Sequence, residues 1–175
     1  SRAPAMIEYE IVDEFATTPD KYWDMFFSEE YNVALWKALD MEREVLKFER
    51  KGEGPDETIE RIQRLTPKRD VPSALRKLVK DAIRYEERNT WRRGDNLMHV
   101  VTIPNFFADK FTTKGTYRLV AKGDNKLDRI WKATCECRVA LVGGKVEKHV
   151  VEEVKRSYQA TTIFTRKWVA EKLLP

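Results

Sequence analysis

From Met6 to Phe15 apolar and polar residues alternate with period two, Ile7, Tyr9 and Ile11 being separated by Glu8 and Glu10, and this spacing predicts a half-buried strand. Thr18-Pro19-Asp20 then opens a helix, with Thr18 placed to cap it and Pro19 at the first helical position. Tyr22, Trp23, Phe26 and Phe27 follow at helical spacing. A second short helix is expected from Glu29 to Leu39, with Val33, Trp36 and Leu39 on one side. From Glu42 the period returns to two. Strands are expected over Glu42 to Arg50 and Glu57 to Thr66, joined by a Lys51-Gly52-Glu53-Gly54-Pro55 turn. Val71-Pro72-Ser73 opens a short helix to Lys80 with Leu75, Leu78 and Val79 on its apolar side. Four more strands follow, over Ile83 to Arg92, Leu97 to Ile103, Thr116 to Lys122 and Arg129 to Leu141. In the last of these Trp131, Ala133, Cys135, Cys137, Val139 and Leu141 share one face. After Gly143-Gly144, helical spacing runs through Val146, Val150, Val151, Val154, Tyr158 and Thr161 to Leu173. At 1.5 Å per residue, about thirty such residues make a helix of roughly 45 Å.

That order predicts an α+β fold, a curved antiparallel sheet wrapped around one long C-terminal helix. The stretch Arg138-Val139-Ala140-Leu141-Val142-Gly143-Gly144-Lys145-Val146-Glu147, leading to Tyr158 and to Phe164-Thr165-Arg166-Lys167-Trp168, resembles the last strand, Gly-Gly turn and long helix of the START-like helix-grip superfamily. That superfamily includes lipid-transfer domains, plant pathogenesis-related proteins and bacterial polyketide cyclases. The resemblance covers nearly the whole chain as an order of elements and looks like an uncharacterised bacterial-type branch. It implies an apolar ligand held between sheet and helix.

With 175 residues the chain has the size of one domain, residues 1–175, with 1–5 expected to be flexible. Its longest apolar runs are only a few residues, which excludes a membrane-spanning helix of roughly 18 residues or more. No signal-peptide stretch follows the first residues, so a cytoplasmic location is expected. The net charge of +4 is the difference between 33 basic and 29 acidic residues that are interspersed rather than clustered, so nucleic-acid binding is not indicated. Cys135 and Cys137 read as core thiols. No pattern specifies an oligomeric state.

Candidate ligand-binding residues come from polar intrusions on apolar faces. Thr161, Thr162 and Thr165 lie mid-stripe on the long helix, beside Val154 and Tyr158, where small hydroxyl residues suit a cavity wall. The other reading is that these threonines bond back to the helix backbone or cover a satisfied core. The strand phase that turns Tyr85 and Trp91 inward also turns Glu87 and Asn89 inward. A buried carboxylate must be paired, hydrogen-bonded or protonated, and Arg61, Gln63 or His99 on neighbouring strands could serve. Glu87 then either orients a ligand, or lies on a bulged strand and faces water. A gate could be formed by the Ser73 helix with Leu75 and by Phe106, Phe107 and Phe111, which lie close to Lys110 and Lys114 in a segment expected to be a loop. Aromatics beside lysines suit a pocket lid or transient contact with a membrane surface, although the same rings could be core.

Catalytic signatures are missing. His99 and His149 are the only histidines and have no third ligand at metal-site spacing, so neither metal nor cofactor is expected. Gly143-Gly144-Lys145-Val146 fails as a phosphate-binding loop, with Val139 where the first Gly should be and Val146 where Ser or Thr should be. The reading that follows is a non-enzymatic protein that binds, and in one version transfers, a hydrophobic small molecule or lipid such as a sterol or isoprenoid. The alternative is a polyketide cyclase, aromatase or dehydratase using Glu87 or Tyr158 as acid or base. A third reading is an interaction module with a filled interior.

Overall fold

Seven segments of period-two alternation pair into one curved antiparallel sheet. The computed structural model describes residues 5–68, 82–138, 143–173 and 175. The strands are β1 (Ala5–Phe15), β2 (Met41–Lys51), β3 (Thr58–Pro67), β4 (Tyr85–Arg92), β5 (Leu97–Pro104), β6 (Phe111–Ala121) and β7 (Leu127–Cys137), in the spatial order β1-β7-β6-β5-β4-β3-β2. Strands β2 to β7 form a meander, each beside its successor, and β1 closes onto the far side of β7. Register shifts only in β2, between Val45 and Lys47, so the ladder through Glu87, which pairs with Gln63, is regular.

Helices α1 (Pro19–Phe26) and α2 (Glu29–Ala38) fill the β1–β2 connection. Each starts where a side-chain oxygen satisfies an orphan backbone donor: Thr18 Oγ1 accepts from Lys21 N at 3.3 Å and Ser28 Oγ from Tyr31 N at 3.3 Å. The long helix α3 (Gly143–Lys172) lies against β1, β7 and α2. Arg93, in the β4–β5 turn, pairs with Asp20, Asp24 and Glu57, tying α1 to the end of the sheet. Between them the inner face of the sheet carries a cluster of rings, with Trp23 at 5.6 Å from Trp91 and 5.8 Å from Tyr117.

Several expectations are corrected. Helix α2 buries Tyr31, Asn32 and Leu35, whereas Val33, expected on the packing side, is 57% exposed. The buried face is turned because Tyr31 reaches α3 through Thr165. Strand β6 starts at Phe111 rather than Thr116, since Thr112, Thr113 and Lys114 extend the ladder with β7. Phe106 and Phe111 are therefore buried and Phe107 half-buried, three rings packed on one another rather than an exposed tip. The helix expected from Ser73, with Leu75, and the final residues expected of the last strand, Val139 and Leu141, lie outside the described residues.

Candidate interior site

The inner face of β3 and β4 carries a hydrogen-bonded polar chain. Arg43 Nε donates to Gln63 Oε1 at 2.8 Å, and Gln63 Nε2 donates to Glu87 Oε1 at 3.3 Å. From the other side Arg61 Nε donates to Asn89 Oδ1 at 2.9 Å, and Asn89 Nδ2 donates to the same Glu87 oxygen at 2.9 Å. Each amide accepts from an arginine and passes a donor to Glu87, an arrangement that aligns the dipoles toward the carboxylate. Arg61 is 1% exposed; its Nη1 donates to Asn32 Oδ1 at 3.3 Å and its guanidinium lies over Phe26 and Phe27 at 5.1 and 5.2 Å. Burial pushes this guanidinium down to about 10, with Glu87 opposing the shift, so the group keeps its charge at neutral pH.

A second buried cation, Arg129, sits on β7. Its Nη2 donates to Asp13 Oδ2 and to Thr162 Oγ1, both at 2.6 Å, and Thr162 donates to Asp13 at 3.0 Å. The rings of Phe15, Tyr158 and Tyr117 surround its Cζ at 4.9, 5.1 and 5.7 Å. Tyr22 shares a short hydroxyl hydrogen bond with Tyr117. Burial pushes the Tyr117 phenol well above its ordinary value.

Of the residues expected to line a cavity, Asn89 and Trp91 are buried on the inner face of β4. Tyr85, Glu87, Val154 and Tyr158 are half-buried, the first two on β4 and the last two on α3. Of the helix pair, Tyr158 is near enough to Glu87 to feel its charge. Burial pushes Tyr85 up to about 12 with help from Glu153, and burial pushes Tyr158 well above the usual phenol range, with Arg129 opposing and Glu87 adding. The Tyr158 ring stacks on Trp131 at 5.5 Å, and Trp131 Nε1 donates to Tyr9 Oη at 3.2 Å. Neither the Tyr85 nor the Tyr158 hydroxyl has a hydrogen-bond partner among the described residues, and neither has Glu87 Oε2.

The helix threonines behave differently. Thr161 donates to Ser157 O at 2.8 Å, Thr165 bonds Tyr31 Oη at 2.6 Å, and Thr162 is committed to Arg129 and Asp13. They are satisfied structural groups, the second of the two readings the sequence allows. Arg61 and Gln63 partner Glu87, but His99 is exposed on the outer face and does not. Phe106 and Phe111 are packed in the core near the β5–β6 turn, and Leu75 lies outside the described residues. His149 is half-buried on α3. Sequence reasoning passed over Arg129 and Asn32. The only signal for Arg129 is its phase, two residues before Trp131 on the inward side of β7.

Among the described residues no group of three His, Cys, Asp or Glu side chains is placed to hold a metal, and no helix is long and apolar enough to cross a membrane. An open groove of about 540 Å³ crosses the outer face over the backbone of Gly115 and Ala133, between Glu10, His99, Lys114 and Lys132. Its flanks carry both signs of charge and no buried polar side chain, as an ordinary sheet surface does.

The seven-stranded sheet gripping a long C-terminal helix is a START-like, helix-grip fold. Within that class the chain belongs to the family described as "Protein of unknown function (DUF2505)", whose family model matches residues 10–169. No curated protein matches the chain. Solved structures with a similar fold include TTHA0849 from Thermus thermophilus, at 15% identity and TM-score 0.62 over 94% of this chain and 98% of that one. The Zhui aromatase/cyclase from Streptomyces sp. R1128 is similar at 12% identity and TM-score 0.61, covering 95% and 96%. A point mutant of norcoclaurine synthase from Thalictrum flavum, in complex with a transition-state analogue, is similar at 16% identity and TM-score 0.61, covering 99% and 100%. At these identities the likeness is one of fold.

Proposed function

We propose that this protein binds a hydrophobic small molecule between the inner face of β4 and helix α3, and carries it without changing it chemically. The observation that supports this most is the set of unpartnered polar atoms there, the Tyr85 and Tyr158 hydroxyls and Glu87 Oε2, which lie on half-buried side chains and are not sealed from outside. Groups left open among aromatic and aliphatic walls suit orientation of a ligand whose apolar surface supplies the affinity. A sterol, an isoprenoid or an acyl lipid fits this description. Native mass spectrometry of protein purified from cells, followed by organic extraction, should release an apolar compound. A clean apo mass together with no uptake of a fluorescent lipid would refute the reading.

The cyclase or dehydratase reading has one observation in its favour, the proximity of Glu87 to Tyr158. With its phenol held far above neutrality, Tyr158 stays protonated and could serve as hydrogen-bond donor or acid but not as base, so Glu87 would have to be the base. Glu87→Gln that retains ligand but loses turnover would establish that reading in place of carriage.

A further inference from the structure

Arg61 and Glu87 each hold an unused hydrogen-bonding valence on the same side of the polar chain. Arg61 spends Nε on Asn89 and Nη1 on Asn32, while its Nη2 stands 4.0 Å from Glu87 Oε1, beyond hydrogen-bond reach. Glu87 spends Oε1 on Gln63 and Asn89, while Oε2 accepts from none of the described residues. A donor, Nη2, and an acceptor, Oε2, are thus left as neighbours, one on a fully buried cation and the other on a half-buried anion.

We infer that this pair selects a ligand whose polar end is neutral and both donates and accepts a hydrogen bond, namely an alcohol or phenol. The inference rests on the interior-binding reading above and narrows its ligand class. A hydroxyl accepts from Arg61 Nη2 and donates to Glu87 Oε2, giving each of these atoms a partner at once. A carboxylate or phosphate is drawn to Arg61 but set against the Glu87 charge, and an ammonium group is drawn to Glu87 but set against Arg61. In a site of low dielectric either ionised head group is left with an uncompensated charge. A head group with no polar atoms leaves both valences empty. Discrimination of this kind works by rejection as much as by attraction. Fatty acids and phospholipids are excluded on this basis, and hydroxylated sterols or isoprenoid alcohols are admitted.

The test is a set of ligands sharing one tail: farnesol, farnesoate, farnesylammonium and farnesene, competed against a fluorescent apolar probe on the intact protein. Two hydrogen bonds of ordinary net worth make farnesol about thirtyfold tighter than farnesene, and both charged analogues should bind at least about tenfold more weakly than farnesol. Glu87→Gln removes the repulsion, so farnesoate should gain on farnesol by about tenfold or more. Binding of all four within threefold leaves the interior site standing and overturns the selectivity. Tightest binding of either charged analogue overturns it too. Failure of all four, farnesene included, overturns the interior-binding reading itself. The wild-type series decides the matter even if the variant is unstable.

Discussion

Gly115→Ala tests the packing that builds the wall of the site, and its sign is opposite to the ordinary expectation. Removing a glycine from a strand normally stabilises by about 0.5–1 kcal/mol, because alanine loses less conformational entropy on folding. Here Gly115 sits opposite Ala133 on the inner face, and the Trp131 ring lies across the space where a side chain would begin. A Cβ at this position would meet Trp131 Cζ2 and Cζ3 at 2.8 Å and Cη2 closer still. The ring cannot retreat freely, since Tyr158 stacks on it at 5.5 Å and its Nε1 donates to Tyr9. Overpacking costs about 1–3 kcal/mol and loss of the Tyr9 hydrogen bond about 1 kcal/mol more. Set against the entropic gain, the net is a loss of about 2 kcal/mol, which for a domain of this size lowers Tm by about 4–8 °C. Thermal melting followed by far- and near-UV circular dichroism reads both the shift and the disturbed tryptophan environment. In a Trp131→Phe background the smaller ring should absorb the methyl group, so the penalty should shrink. A Gly115→Ala protein that melts at or above the wild-type temperature, or a penalty undiminished in the Trp131→Phe background, would refute the collision.

Arg129→Met removes a cation buried against Asp13 and Thr162 and should cost about 3–5 kcal/mol in urea denaturation, whereas Asp13→Leu with Arg129→Met together should recover much of it; equal losses in the two proteins would show that the pair is not coupled. The phenols of Tyr85 and Tyr158 are raised in the folded state, Tyr85 to about 12, so unfolded chains deprotonate first as pH passes the ordinary phenol value of about 10. The stability these groups contribute is fully present below that value; the Tyr85 share is lost on the way up to about 12 and the Tyr158 share as pH rises through its own raised value, so phenolate absorbance and loss of circular dichroism should rise together. Phenolate appearing well before unfolding would contradict this. Burial pushes the Cys135 thiol up to about 11, so alkylation by iodoacetamide at pH 8 should be slow in native protein and fast after denaturation, and a rapid native reaction would place the thiol elsewhere.

Strand phase was legible wherever one face is apolar throughout, as in β7, or where an aromatic anchors it, as Trp91 does in β4. That phase carried Glu87 to the inner face against the ordinary preference of a carboxylate for water. What escaped is what long-range partners decide. Arg129 shares the inward phase of Trp131, yet a charge at that position makes sense only with Asp13, 116 residues away, and Thr162 on another element. The same holds for α2, whose buried face is turned by the contact of Tyr31 with Thr165, 134 residues on. Periodicity sees only the helix. The threonines of α3 were visible as small hydroxyl residues, but whether such a residue lines a cavity or caps a neighbour depends on what stands opposite. The β5–β6 segment misled because Pro104 and Gly115 read as loop punctuation, although Pro104 ends a strand and Gly115 makes room for a ring.

The two buried arginines separate what holds the fold from what could meet a ligand. Arg129 joins β1, β7 and α3, the elements the helix packs on, and both of its terminal nitrogens are used. Its one idle nitrogen, Nε, is sealed from any visitor. Arg61 stands on β3, away from that contact, with Nη2 idle beside a half-buried carboxylate. Unlike the sealed Nε of Arg129, neither Arg61 Nη2 nor Glu87 Oε2 is an enclosed atom, so both can be met from outside the fold. The unmet valences lie on β3 and β4, away from the β1 and β7 contact of the helix, which is where the proposed ligand would sit, and Arg129 is the cation that ties the helix to β1 and β7.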